Sequence, residues 1–278
     1  MRYLLTFSIT LGSAFGLQLL ALKSVGGRTA KSESNFFSSL GRIQAGAQGT
    51  PEVMVLGSSI TGRLPDRSRG YTGWANMGCD GGSAVDVLRA MDESSLPTAP
   101  HLVIEANTLQ MALNAKTPEI GTSIRRPWFR VGLHLPCLAA YARPAAFFYS
   151  KLLAKRIGDF DSHRLHEDLG VSSKPELVTT PPASQFSAAQ ESLINEVTAI
   201  LHGLQQKGTV ATIVWLPPAR GNGSEPPAWI LELARRSGVR YWDLGQQANS
   251  DEIILTDGVH MAAPSAAKTM ESLRKVLE

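Results

Sequence analysis

The residues in this chain best suited to chemistry are a serine near the start of its folded part and a histidine near its end. Ser59 stands in Gly57-Ser58-Ser59-Ile60, directly after the short apolar run Glu52–Gly57. A hydroxyl on a tight turn that opens a helix lies beside free backbone N–H groups, which favour a developing negative charge. Ser58 is an alternative nucleophile, with its side chain expected to point away from that of Ser59. The histidine belongs to Asp257-Gly258-Val259-His260. A general base must reach the serine proton, and a carboxylate must hold the imidazole's tautomer and orientation; Asp257 and His260 can supply both. Two further segments carry donors for an oxyanion. Asn76-Met77-Gly78-Cys79-Asp80-Gly81-Gly82 places Gly78 where a backbone N–H can approach a ligand, and Glu105-Ala106-Asn107-Thr108 places a side-chain amide at Asn107. Each segment alone also reads as a helix cap or a packing turn; their order along the chain sets them apart.

The elements that must position these residues follow from local pattern. Short apolar runs at 52–57, 73–76, 101–105, 209–216 and 240–244 read as strands. Between them lie helical signals. Ser83 with Asp86 forms a capping-box pattern ahead of Val85, Leu88 and Met91, and Ser187 with Gln190 forms another ahead of a run from Leu193 to Leu204. A last helix starts near Pro264. Strands alternating with helices predict parallel pairing and an α/β fold, a three-layer α/β/α sandwich around a central, mainly parallel sheet. In such sheets the loops at the carboxyl ends of strands carry ligands, and all four segments fall there. Residues 117–184 interrupt the alternation with prolines and aromatic side chains. They read as an insertion, either a lid or membrane-facing surface or extra packing on the core.

Arg2 precedes an apolar run from Tyr3 to Leu22 that ends at Lys23. Its length matches the roughly 20 residues an α-helix needs to cross a bilayer, so residues 1–23 are read as an uncleaved signal-anchor. A cleaved signal peptide and a buried helix are the alternatives. Residues 24–50, rich in Ser, Gly and Ala, read as a linker, and 51–278 as the folded domain. The net charge of +3 comes from 27 basic and 24 acidic side chains without a dense basic run, which speaks against a nucleic-acid partner. Two cysteines, Cys79 and Cys137, make neither a zinc framework nor a disulfide scaffold. His163 and His166, next to Glu167, have the spacing of a metal pair but no evident third ligand, so a solvated helix is the preferred reading and no metal or cofactor is expected.

A serine after the first strand, then a glycine, then an asparagine and finally D-x-x-H resemble the SGNH hydrolase family, the GDSL-like esterases and acyltransferases. The resemblance spans 51–278 apart from the insertion. It implies a flavodoxin-like sheet with Ser59 as nucleophile, Asp257 and His260 completing a triad, and an oxyanion hole built from Ser59, Gly78 and Asn107. It implies no cofactor. The chain departs from the family pattern at Ser58, where G-D-S has aspartate, and at Glu105 and Thr108, which flank the asparagine in place of G-x-N-D. The implied activity is ester hydrolysis or acyl transfer through an acyl-enzyme. Its expected substrate is an acylated small molecule or polysaccharide of the cell envelope, outside the cytoplasmic membrane, with a membrane acyl-transfer partner in the second case. A lipid-directed esterase or thioesterase and a non-catalytic envelope scaffold are the competing expectations. Cys79, beside Gly78, is expected to pack rather than to react.

Overall fold

The computed structural model describes residues 1–27, 29, 31–114, 119–157, 186–217, 226–245, 253–256 and 259–277. Its centre is a sheet of five parallel strands: Val53–Ser58 (β1), Trp74–Cys79 (β2), His101–Glu105 (β3), Val210–Trp215 (β4) and Arg240–Asp243 (β5). The spatial order is β2-β1-β3-β4-β5, so the winding direction reverses between β1 and β3. In open α/β sheets, ligands bind beyond the carboxyl ends of the strands at such a reversal.

The strands are apolar on both sides because both sheet faces are covered. Met54, Leu56, Met77, Leu102, Ile104 and Ile213 point to one face and join the larger core. Helices Ala84–Asp92 (α3), Ala188–Gln206 (α7) and Ala228–Ser237 (α8) close that face. Val53, Val55, Trp74, Val103 and Val214 point to the other, where Ala266, Met270, Leu273 and Val276 of the last helix, Ala263–Leu277 (α9), lie across them. The capping box at Ser187 and Gln190 forms in full at the start of α7. At the start of α3 only half of the expected box forms: Ser83 Oγ accepts from Val85 N at 3.3 Å, and Asp86 takes no part.

An N-terminal helix, Arg2–Lys23 (α1), is long and apolar enough to cross a membrane, with a mean hydropathy of 1.6. The segment expected to be a linker is instead structured. Asn35–Ala47 (α2) buries Leu40 and Ile43 completely, since its apolar positions recur at helical spacing among the small residues. Ser34 caps it by accepting from Phe37 N. The described part of the insertion comprises Glu119–Ile124 (α4), Pro127–His134 (α5), two short 3-10 turns and Pro144–Ile157 (α6). Ile124 and Phe129 are fully buried, so this first part is core packing; Phe148 and Leu152 on α6 are exposed. The His163/His166 pair lies outside the described residues.

Candidate active site

β1 delivers Ser58 and Ser59 to the carboxyl edge of the sheet at the β1/β3 reversal. Ser58 is buried, and its Oγ donates to Glu105 Oε1 at 2.8 Å. Glu105 also accepts from Ser58 N at 2.8 Å, Thr61 N at 3.1 Å, Thr61 Oγ1 at 2.7 Å and Thr108 Oγ1 at 3.0 Å. A fully buried carboxylate is tolerable only with such a set of donors. Gly57 leaves room for it, because a Cβ there would collide with the Glu105 side chain. Glu105 on the neighbouring strand thus supplies the carboxylate beside Ser58. Ser58 is committed to holding the turn, and Ser59 projects beside it, partly exposed.

The last helix brings the histidine back across the sheet. Leu255 and Met261 form an antiparallel bridge, Thr256 N donates to the His260 carbonyl at 2.8 Å, and Ile254 N donates to Ser265 Oγ at 2.8 Å. Met261 is buried in the core under α9 and accepts from Thr269 Oγ1. With its neighbour so anchored, His260 places Nε2 2.7 Å from Ser59 Oγ, a contact between residues 201 positions apart. That is the reach a general base needs. Asp257 lies outside the described residues.

Asn107 sits just past β3. Its Nδ2 donates to Leu216 O at 2.8 Å, and its Oδ1 accepts from Leu216 N at 2.8 Å, which ties the ends of β3 and β4 together. A primary amide has two donor hydrogens, so one remains to donate to a ligand.

Gly78 does not fit the role expected of it. β2 runs three residues further than the sequence suggested, so Gly78 lies inside the strand, paired with Gly57. Its N–H donates to Asn76 Oδ1 at 2.9 Å and is spent there. Its missing side chain serves packing, since a Cβ would lie 2.5 Å from Gly62 N and 2.6 Å from Ser58 O. Asn76 completes the same lock by donating to Thr61 O and Leu64 O, each at 2.7 Å. The glycine that follows the strand is Gly81, exposed, with φ +77°. Among the described residues no protein acceptor takes up the N–H of Ser59 or of Gly81. The Gly-Gly pair just ahead of the Ser83 cap was the sequence signal for it.

Cys79 is fully buried, and burial, reinforced by the charge of Asp86, pushes its thiol well above the ordinary range. Such a thiol does not ionise near neutrality and is a packing residue. Beside it Asp80 holds Arg42 of α2, with Nη1 2.9 Å from Oδ1. Burial alone would raise the Asp80 carboxyl, but Arg42 and Lys31 outweigh it and hold it below the ordinary value. Among the described residues no cluster of three metal-binding side chains occurs.

No family model matches the chain, and neither a curated protein nor a solved structure matches it.

Proposed function

We propose that this chain is a serine esterase or O-acyltransferase of the SGNH type, with Ser59 as nucleophile and His260 as general base. The observation that carries the reading is the 2.7 Å approach of His260 Nε2 to Ser59 Oγ at the sheet's topological reversal. Nε2 takes the proton as Oγ attacks an ester carbonyl carbon. The tetrahedral oxyanion is met by the N–H of Ser59, the N–H of Gly81 in place of Gly78, and the second Nδ2 hydrogen of Asn107. His260 then gives its proton to the departing alcohol, leaving an acyl-enzyme that passes to water or to an acceptor hydroxyl. The resemblance assigns Asp257 to the other side of the imidazole, where it would fix the tautomer. None of these steps requires a metal or cofactor.

Purified protein incubated with p-nitrophenyl acetate and with a long-chain ester tests the reading. Turnover should fall by about 10³-fold or more in Ser59→Ala. Equal rates in wild type and variant would overturn it. A preference for acetate fits an acylated envelope carbohydrate as substrate. A preference for the long chain fits a lipid-directed enzyme, a reading favoured by the exposed apolar side chains Phe148 and Leu152 on α6.

We further read α1 as a signal-anchor that holds the domain at the outer face of the cytoplasmic membrane. Supporting this, Tyr3, Leu4, Leu5, Phe7 and Ile9 are all exposed on the helix. An exposed apolar face of that size needs a partner, and a bilayer supplies one. The protein should stay in the membrane pellet through alkaline carbonate extraction; quantitative release of intact protein would count against a spanning helix.

A further inference from the structure

Asp86 sits in the first turn of α3, where a carboxylate ordinarily caps the helix, yet it does not do so. Its side chain is only 5% exposed, and among the described residues no hydrogen bond reaches it; its ion-pair partner there, Arg89 Nη1, is 3.9 Å away. α4 closes on it from the insertion, so that a Cβ at Gly121 would lie 2.8 Å from Asp86 Oδ1. A buried carboxylate without a donor is costly, and burial pushes Asp86 up to about 6 against the pull of Arg89 and Arg125.

Asp86 forms part of the wall of a cavity of about 830 Å³ between α3, α7 and the start of the insertion. That is the size range of small-molecule sites. The cavity opens beside Gly81 and Gly82, in the turn after β2, and neither Ser59 nor His260 lines it. Four carboxylates face it, Asp86, Asp92, Glu93 and Glu196, against two guanidiniums, Arg89 and Arg125. Both guanidiniums are occupied: Arg89 grips Glu196 with two bonds of 2.6 and 2.8 Å, and Arg125 grips Glu93 in the same two-toothed way. Among the described lining residues the surplus charge is therefore negative, on a chain whose net charge is +3. Among the described residues, Asp86 has no positively charged donor within hydrogen-bond distance.

We propose that this cavity is a binding site for a small ligand carrying a protonated primary amine, which donates to Asp86. An amino sugar and a polyamine share this chemistry. An anionic ligand is disfavoured by the same charge balance. The site does not depend on Ser59 acting as a nucleophile.

Equilibrium binding to the full chain in detergent micelles, read by calorimetry, tests it without reference to turnover. The probes are a glucosamine trimer, its fully N-acetylated counterpart and spermidine. At least one amine should bind, and Asp86→Asn should weaken it about tenfold or more, as expected for loss of a charged hydrogen bond. Which amine binds identifies the source. If the trimer is the ligand, N-acetylation should weaken it by a similar factor on the wild-type protein, which checks the claim even where the variant folds poorly. Failure of both amines to bind, or binding unchanged by the substitution or by acetylation, would overturn the proposal. Loss of ester turnover in Ser59→Ala bears on the active site alone.

Discussion

Ser59 is placed by its neighbours more than by its own bonds, and Glu105 is the neighbour that matters most. One carboxylate ties Ser58 and Thr61, in the turn after β1, to Thr108 after β3, with all its donors neutral hydroxyl or amide groups. Glu105→Gln replaces one acceptor oxygen with a donor facing other donors. Leaving buried donors unpaired costs about 1–3 kcal/mol each. The variant should therefore melt at lower temperature and lose ester turnover together; thermal unfolding and the acetate assay on the same preparation check this. The pairing of Ser59 with His260 was legible in the sequence, because G-S-S after a strand and D-x-x-H before a last helix are local patterns. The role of Glu105 was not, since it depends on which strand lies beside β1. Gly78 was misassigned for a related reason. Its surroundings read as a turn, but Asn76 takes its N–H and lets β2 continue to Cys79, which moves the exposed turn to Gly81.

Among the elements, α3 carries a buried carboxylate, Asp86, that costs stability. Below its ordinary pKa Asp86 is neutral in both folded and unfolded chains. Between about pH 4 and 6 the folded protein holds the proton and the unfolded chain releases it, so stability falls as pH rises through this window, to about 6. Arg89 on the same helix, Arg125 after α4 and Glu196 on α7 are the charges that face it. Asp86→Asn removes the penalty. It should raise stability at pH 7.5, by up to about 3 kcal/mol given 1.36 kcal/mol per pKa unit, with the gain gone near pH 4. Denaturant titrations at the two pH values check the sign; a gain of equal size at both would contradict it. The strands and the helices α3, α7 and α9 were readable from short apolar runs, caps and helical spacing. α2 was not: Ser, Gly and Ala gave it a linker's composition. Those small residues serve close packing, with Ser39 Oγ accepting from Asp80 N at 2.8 Å at the end of β2.

At the scale of the whole molecule, α1 is docked to the domain rather than loosely tethered. Gln18 Nε2 donates to the carbonyls of Cys137 and Ala142 at 2.8 and 2.5 Å, and Leu22 is buried with Ala45, Ala139, Tyr141 and Ala142. Thr29 and Lys31 continue the attachment through Tyr141 O and Ser150 Oγ. α1 also contacts α6, whose Phe148 and Leu152 are exposed. In the proposed setting, the membrane would hold the domain close to its surface. The fold's larger achievement is to return residue 260 to residue 59 across the sheet, through the packing of α9 on β1, β3 and β4. The most direct test is to label the protein with a fluorophosphonate and map the adduct by peptide mass spectrometry. The account predicts a single adduct on Ser59 in the wild type, lost in His260→Ala although that variant remains folded. An adduct on Ser58, or labelling of Ser59 undiminished in His260→Ala, would contradict it.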